Sequence, residues 1–394
     1  MKNLTRYGLI AVALAAGAGV RAETPAPLPP SPETACTTAS AEIAFDFEGA
    51  SQSRCVIEGD REFSILVAPE HAPPINPSPW YAFRYASQPG ADLTVHVRYL
   101  EAKHRYPPKW RGRGDAGSLA AAVAEDGKSV TITLPAGNGI VSSQEIFDGT
   151  RHARLLDELA AKEGVERLSL GASHDGRPIE ALRIGRPDAP RLVILLGRAH
   201  PPEVSGAVAM EAFLRRIASE AGSLGDTQVI AIPLLNPDGV ARGHWRANRG
   251  GLDLNRDWGE FTQPETRAVG DWLAALPPTI RPVAMVDFHS TERNLFYVQG
   301  EKETDRAQER FLAEWLGGQE QAIEGYPFTI ERRNANPGSG TSKNWFNVTY
   351  GIPAYTYEVG DETDRSAIAR AASVLAERFL TAIAEPDRVP SSPE

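Results

Sequence analysis

The sequence predicts an α/β chain: a mixed, mostly parallel sheet with helices on both faces, preceded by a small antiparallel β-domain. Three observations carry this. Residues 36–147 alternate apolar and polar side chains with period two; from about residue 148 helical stretches alternate with short apolar strands; and polar clusters fall where those strands end.

Taken in order, Lys2 and Arg6 precede an apolar stretch, Leu9 to Val20, and then Val20-Arg21-Ala22, a small-x-Ala pattern. The run is too short to span a bilayer comfortably, so residues 1–22 are expected to be a secretory signal peptide cut after Ala22. The mature chain is then secreted or periplasmic, with no membrane span after signal removal. Residues 23–35, ETPAPLPPSPETA, are expected to be a Pro-rich linker. In the β-domain, Leu93, Val95, Val97 and Tyr99 alternate with Thr94, His96 and Arg98, as Val130, Ile132 and Leu134 do with Thr131 and Thr133. Such strands have one wet and one buried face. The two cysteines, Cys36 and Cys55, are expected to form a disulfide in an exported chain, tying down one end of the domain. Segment 103–114, KHRYPPKWRGRG, carries six basic residues with Tyr106 and Trp110. It is expected to be a flexible exposed loop, the alternative being an arm that contacts an acidic or sugar-bearing substrate.

After residue 148 the helical stretches RHARLLDELAAKEG and VSGAVAMEAFLRRIASEAG alternate with the apolar strands RLVILLG, QVIAIPLL, PVAMVDF and AYTYEV, and a last helix runs from about Asp364 to Ala384. Residues 386–394 form a tail. The 394 residues make room for one large and one smaller domain. The net charge of −10 disfavours nucleic acid or an anionic membrane as main partner, since both need a basic face.

His200 and Glu203 follow RLVILLG, Asn236-Pro237-Asp238-Gly239 follows the next strand, His289 ends PVAMVDF and Glu358 lies at the end of AYTYE. Open α/β sheets bind ligands beyond the carboxyl ends of their strands. Two cysteines exclude a thiolate zinc cage, so a metal here must use His and carboxylate. Two histidines and one carboxylate leave a position open on tetrahedral zinc, as in catalytic sites. A further carboxylate must then take the proton of the attacking water, and Glu358 is the candidate.

In this order the motifs resemble those of the M14, or funnelin, zinc carboxypeptidases: HPPE (200–203), WR (245–246), DLNR (253–256), HS (289–290) and YTYE (355–358). The resemblance covers residues 150–385, making 148–385 a zinc carboxypeptidase catalytic domain. GRAHPPE and, more loosely, WYAFRYASQPGADLTVHVRYL are similar to the cytosolic-carboxypeptidase-like branch. The resemblance implies one Zn2+ per chain on His200, Glu203 and His289, with Asp253 orienting His200. It implies that Arg246 polarises the scissile carbonyl, that Asn255 and Arg256 clamp the terminal carboxylate, and that Glu358 is general base and then acid. Asp287 shares a strand face with His289 and is expected to be structural rather than a ligand. His71, His96, His104, His152, His174 and His244 match no motif position.

Two features concern the substrate. The family's substrate-capping tyrosine would fall at Asn336, which leaves the mode of capping open. Lys343 lies two residues before Trp345, itself thirteen before Glu358, at the position that in the family floors the pocket for the C-terminal side chain. A lysine there implies an acidic end: glutamate, aspartate or diaminopimelate. The expected activity is hydrolysis of a C-terminal peptide bond in a peptide or peptidoglycan-peptide substrate. The alternatives are a peptidoglycan stem-peptide amidase or endopeptidase on the same site, and a catalytically inactive binding module.

Overall fold

The computed structural model describes residues 35–51, 53–333 and 338–384. The expected signal peptide, residues 23–34 of the linker, Asn336 and the 386–394 tail lie outside the described residues.

The N-terminal part folds as two facing sheets, one of six strands and one of five. Alternation explains the sandwich: Leu93, Val95, Val97, Val130, Ile132 and Leu134 of one sheet meet Ile43, Phe83, Tyr85 and Val141 of the other in a single apolar core. The pairing departs from the expected antiparallel pattern once, where strand Glu62–Val67 runs parallel to Leu93–Tyr99. Cys36 and Cys55 are disulfide-bonded, with Cα atoms 5.7 Å apart. Rather than tying down one end, the bridge links strand Cys36–Thr37 of the first sheet to strand Arg54–Gly59 of the second, and Cys36 belongs to the core.

The second part is built on an eight-stranded sheet. Its centre is parallel: Thr227–Ile232, Arg191–Gly197, Arg281–Thr291 and Ala354–Gly360 are successive neighbours. Antiparallel pairs flank it, through Val165–Ala172 and Pro178–Ile184 on one side and Leu295–Gln299 on the other. The central strands are nearly continuous apolar runs because both faces are covered. Val193 and Leu195 pack under helices Gly149–Ala160, Val204–Ser219 and Arg365–Ala384. Leu192, Ile194 and Leu196 face the opposite way, toward Pro264–Ala274 and Ser342–Tyr350. No helix among the described residues is long and apolar enough to cross a membrane.

Helix Val204–Ser219 sets the depth of the strand ends. A Cβ on its Gly206 would lie 2.5 Å from the His289 carbonyl oxygen, so only glycine permits this approach. The Gly206 N–H then donates to Ser290 Oγ at 2.8 Å, and the Ser205 hydroxyl reaches the Val359 carbonyl at 3.2 Å. One helical turn thereby locks together the strands that carry His289 and Glu358.

Candidate metal centre and its cavity

Strand Arg191–Gly197 is followed by Arg198, which is buried with φ +54° and donates from Nη2 to the Pro201 carbonyl at 2.6 Å. A side chain held in this left-handed region costs about 1–3 kcal/mol, and the turn it makes brings His200 and Glu203 over the sheet edge. His289 and Glu358 are register partners on adjacent parallel strands, so their side chains emerge side by side.

His200 Nδ1 lies 2.8 Å from one oxygen of Glu203, and His289 Nδ1 lies 2.8 Å from the other. The three donor groups fall within 4.8 Å of one another, the one such group among the described residues. Both imidazoles are held from behind by carboxylates: His200 Nε2 is 2.9 Å from Asp253 and His289 Nε2 is 3.0 Å from Asp287. Each ring is thus directed to present Nδ1, the orientation a metal requires. Two imidazoles and one carboxylate, all buried or nearly so, fit Zn2+ with an open position.

The electrostatics agree. Burial opposes the charged form of Glu203, but His200 and His289 outweigh it and hold its carboxyl well below the usual range. Asp253 is likewise held down against its burial by His200 and Arg246. Glu358 behaves oppositely: burial, reinforced by Glu203 and opposed by His289, pushes its carboxyl up to about 7. Its Oε2 is buried without a hydrogen-bond partner.

His200, Glu203, His289 and Glu358 line a cavity of about 470 Å³. Arg246, Asn255, Arg256 and Lys343 line it too. Arg246 Nε donates to Asp253 at 2.7 Å, so one carboxylate holds both His200 and Arg246. Asn255 Oδ1 accepts the Ser342 N–H at 2.9 Å, seating helix Ser342–Tyr350 against the site. Lys343, 5% exposed, turns inward and donates from Nζ to the Arg333 carbonyl at 2.8 Å. Burial pulls its ammonium down to about 8. Its hydrogen-bond partner is a carbonyl, and the Glu303 carboxylate, acting through space, only partly offsets its burial.

Part of the wall comes from segment 103–114, where the expected exposed loop gives way to the alternative of an arm beside the site. Segment 103–114 is not an exposed loop throughout: Arg105 and Tyr106 line the cavity, and Tyr106 is 2% exposed with its ring 5.9 Å from that of Trp245. Arg105 is paired with buried Asp361 at 2.6 Å. The basic and aromatic composition of the segment was the available signal. Asp287 is no member of the donor group but orients His289, a role its position two residues away on the same strand face allows.

An imidazole–carboxylate donor set at the strand ends of an α/β sheet, beside a carboxyl with one buried oxygen unpartnered, defines a candidate metallohydrolase centre. The family model described as zinc carboxypeptidase matches residues 152–381, and the chain belongs to this family. The fold is shared with the metallo-carboxypeptidase of Burkholderia cenocepacia, at TM-score 0.72 and 19% identity over 88% of this chain and 100% of the other. It is also shared with the Pseudomonas aeruginosa metallo-carboxypeptidase in complex with (2-guanidinoethylmercapto)succinic acid, at TM-score 0.68 and 21% identity over 87% and 99%. Among curated sequences, an uncharacterized protein of Zymomonas mobilis is 32% identical over 171 residues, 41% of this chain and 44% of the other. Human cytosolic carboxypeptidase 6 is 34% identical over 121 residues, 28% of this chain and 24% of the other. The chain thus spans less than half the length of either curated relative.

Proposed function

We propose that the chain is a zinc metallocarboxypeptidase that removes the C-terminal residue of a peptide and prefers an acidic one. The observation that carries this is the convergence, in one cavity, of the His200–Glu203–His289 group, Glu358 and four carboxylate-binding or carbonyl-binding side chains. A zinc ion held by the three donors supplies polarisation of the scissile carbonyl and acidification of the attacking water. Glu358 takes the water's proton and passes it to the leaving amine. Arg246 donates to the carbonyl oxygen as negative charge builds there. Asn255 and Arg256 receive the terminal carboxylate, the guanidinium fork matching its two oxygens. Release of a C-terminal residue from synthetic peptides by the zinc-loaded protein tests the activity; no cleavage of any peptide would leave the binding-module alternative.

Lys343 sets the preference, because a buried ammonium bonded only to a carbonyl gains most from an anionic partner. A hydrogen bond to a charged group contributes about 1.5–3 kcal/mol, which corresponds to about 10–100-fold in selectivity. Wild type is expected to cleave peptides ending in glutamate, aspartate or diaminopimelate faster by that factor than matched peptides ending in leucine or lysine. Lys343→Asp is expected to shift the preference toward lysine and arginine. Fastest cleavage of leucine or lysine ends by wild type would remove the acidic preference and leave the hydrolytic assignment standing.

Export is part of the proposal. It is supported by the basic, apolar and small-residue order of residues 1–22 and by the Cys36–Cys55 bond, which persists in oxidising compartments. Intact mass of the protein recovered outside the cytoplasm is expected to start at Glu23; a chain retaining residues 1–22 would overturn it.

A further inference from the structure

Arg246 sits on a stretch of chain without secondary structure of its own. Helix Pro237–Arg242 ends at Gly243, whose left-handed φ of +63° turns the chain out, and the next strand begins only at Arg281. The amides of Trp245, Arg246 and Ala247 are therefore offered to neither a helix nor a sheet ladder, and backbone donors of this kind must be met from elsewhere. All three are met by one side chain of the β-sandwich. Glu70, three residues beyond strand Glu62–Val67, accepts the Arg246 N–H at 2.8 Å and the Ala247 N–H at 2.7 Å on Oε1, and the Trp245 N–H on Oε2.

We propose that Glu70 is a positioning residue for the reaction: its carboxylate, seated on three consecutive backbone N–H groups, fixes the main chain from which Arg246 reaches the scissile carbonyl. This rests on the role assigned to Arg246 above. Charge-assisted bonds from successive amides form a nest that holds a carboxylate in one place, and here the nest is what is held. The far end of Arg246 is pinned by Asp253 through Nε at 2.7 Å. Asp253 fixes the guanidinium end and Glu70 the backbone end, so the donor is aimed before substrate arrives. A donor preorganised in this way acts on the transition state more than on bound substrate. The neighbouring contacts point the same way: the His71 ring lies 5.4 Å from that of His244, and Tyr106 lies against Trp245. The carboxylate nevertheless stands alone in taking all three amide protons.

The test is Glu70→Gln in the full chain, with kcat measured per zinc-loaded molecule. Displacing a catalytic group by about 1 Å costs on the order of 100-fold, so kcat is expected to fall about 10–100-fold while KM stays within about threefold. Zinc content is expected to be unchanged, and amide hydrogen exchange at residues 245–247 faster. Glu70→Asp, which keeps the charge but draws the oxygens back, is expected to recover part of the loss. In an Arg246→Ala background, Glu70→Gln is expected to change kcat by less than about twofold, because the group it aims is gone. Wild-type kcat in Glu70→Gln overturns the inference, as does a rise in KM alone or an equal loss in both backgrounds. Absence of carboxypeptidase activity in wild type would instead overturn the proposed function, and this inference with it.

Discussion

Glu358→Gln is expected to lower kcat by about 10²–10⁴-fold, the range ascribed to a positioned acid–base group, with the fold and the zinc retained. The amide has the shape of the carboxyl but cannot accept the proton. The environment is already arranged for proton transfer: burial pushes the Glu358 carboxyl up to about 7, and its Oε2 has no hydrogen-bond partner to spend its basicity on. The sign of the pH dependence follows. A base works deprotonated, so kcat/KM rises with pH through the pKa of Glu358. A cation on His200, Glu203 and His289 favours the carboxylate and moves that limb to 7 or below. Steady-state rates of the zinc-loaded variant, measured across pH beside wild type, check both parts. Near-normal kcat in Glu358→Gln would remove it as the base.

His200→Ala and His289→Ala are each expected to reduce zinc from one per chain to a small fraction, with loss of activity in proportion. Either change leaves one imidazole and Glu203, and two ligands hold zinc poorly in water. The carboxylates behind the rings set a graded series below this. Asp253→Asn and Asp287→Asn keep every donor but release one ring orientation each, an effect of about 10–100-fold in affinity. Metal analysis after dialysis against a chelator of known affinity separates the two tiers. Full activity after exhaustive chelation would overturn the zinc assignment, and equal affinities in all four variants would overturn the role given to the two aspartates.

The strand-end residues were legible because buried parallel strands are nearly uninterrupted apolar runs, and a histidine or glutamate directly after one is conspicuous. RLVILLG and PVAMVDF each lie within a strand of the sheet and lead into His200 and His289, and the strand segment AYTYEV itself carries Glu358. The flanking strands were not read. Val165–Ala172 and Thr329–Arg333 are partly exposed along their length, and their mixed sequences VERLSLGA and TIERR carry little periodicity. Contacts between residues far apart in sequence left no trace either, although segment 103–114 itself stood out by its composition. Glu70 meets Arg246 across 176 positions, and Arg105 meets Asp361 across 256. No local spacing encodes such a meeting; it exists only once the sandwich and the eight-stranded sheet have packed. The disulfide was paired correctly but misplaced in its effect, because the assignment of Cys36 and Cys55 to opposite sheets is a matter of topology.

The wall that Arg105 and Tyr106 contribute to the cavity has a bearing on how such a chain can change over evolutionary time. A sandwich that merely accompanied the eight-stranded sheet could be exchanged for another, or lost, with its neighbour's site intact. Here an arginine of the sandwich is tied to Asp361, three residues past Glu358, and its guanidinium lies 5.1 and 5.2 Å from the Tyr106 and Trp245 rings. Replacing the sandwich would bring in a foreign wall and take Arg105 from buried Asp361, a destabilising loss. Exchange of the sandwich would therefore cost the second part of the chain both an ion-pair partner and a piece of its cavity wall, and a substitution at 105 or 106 alters that wall directly.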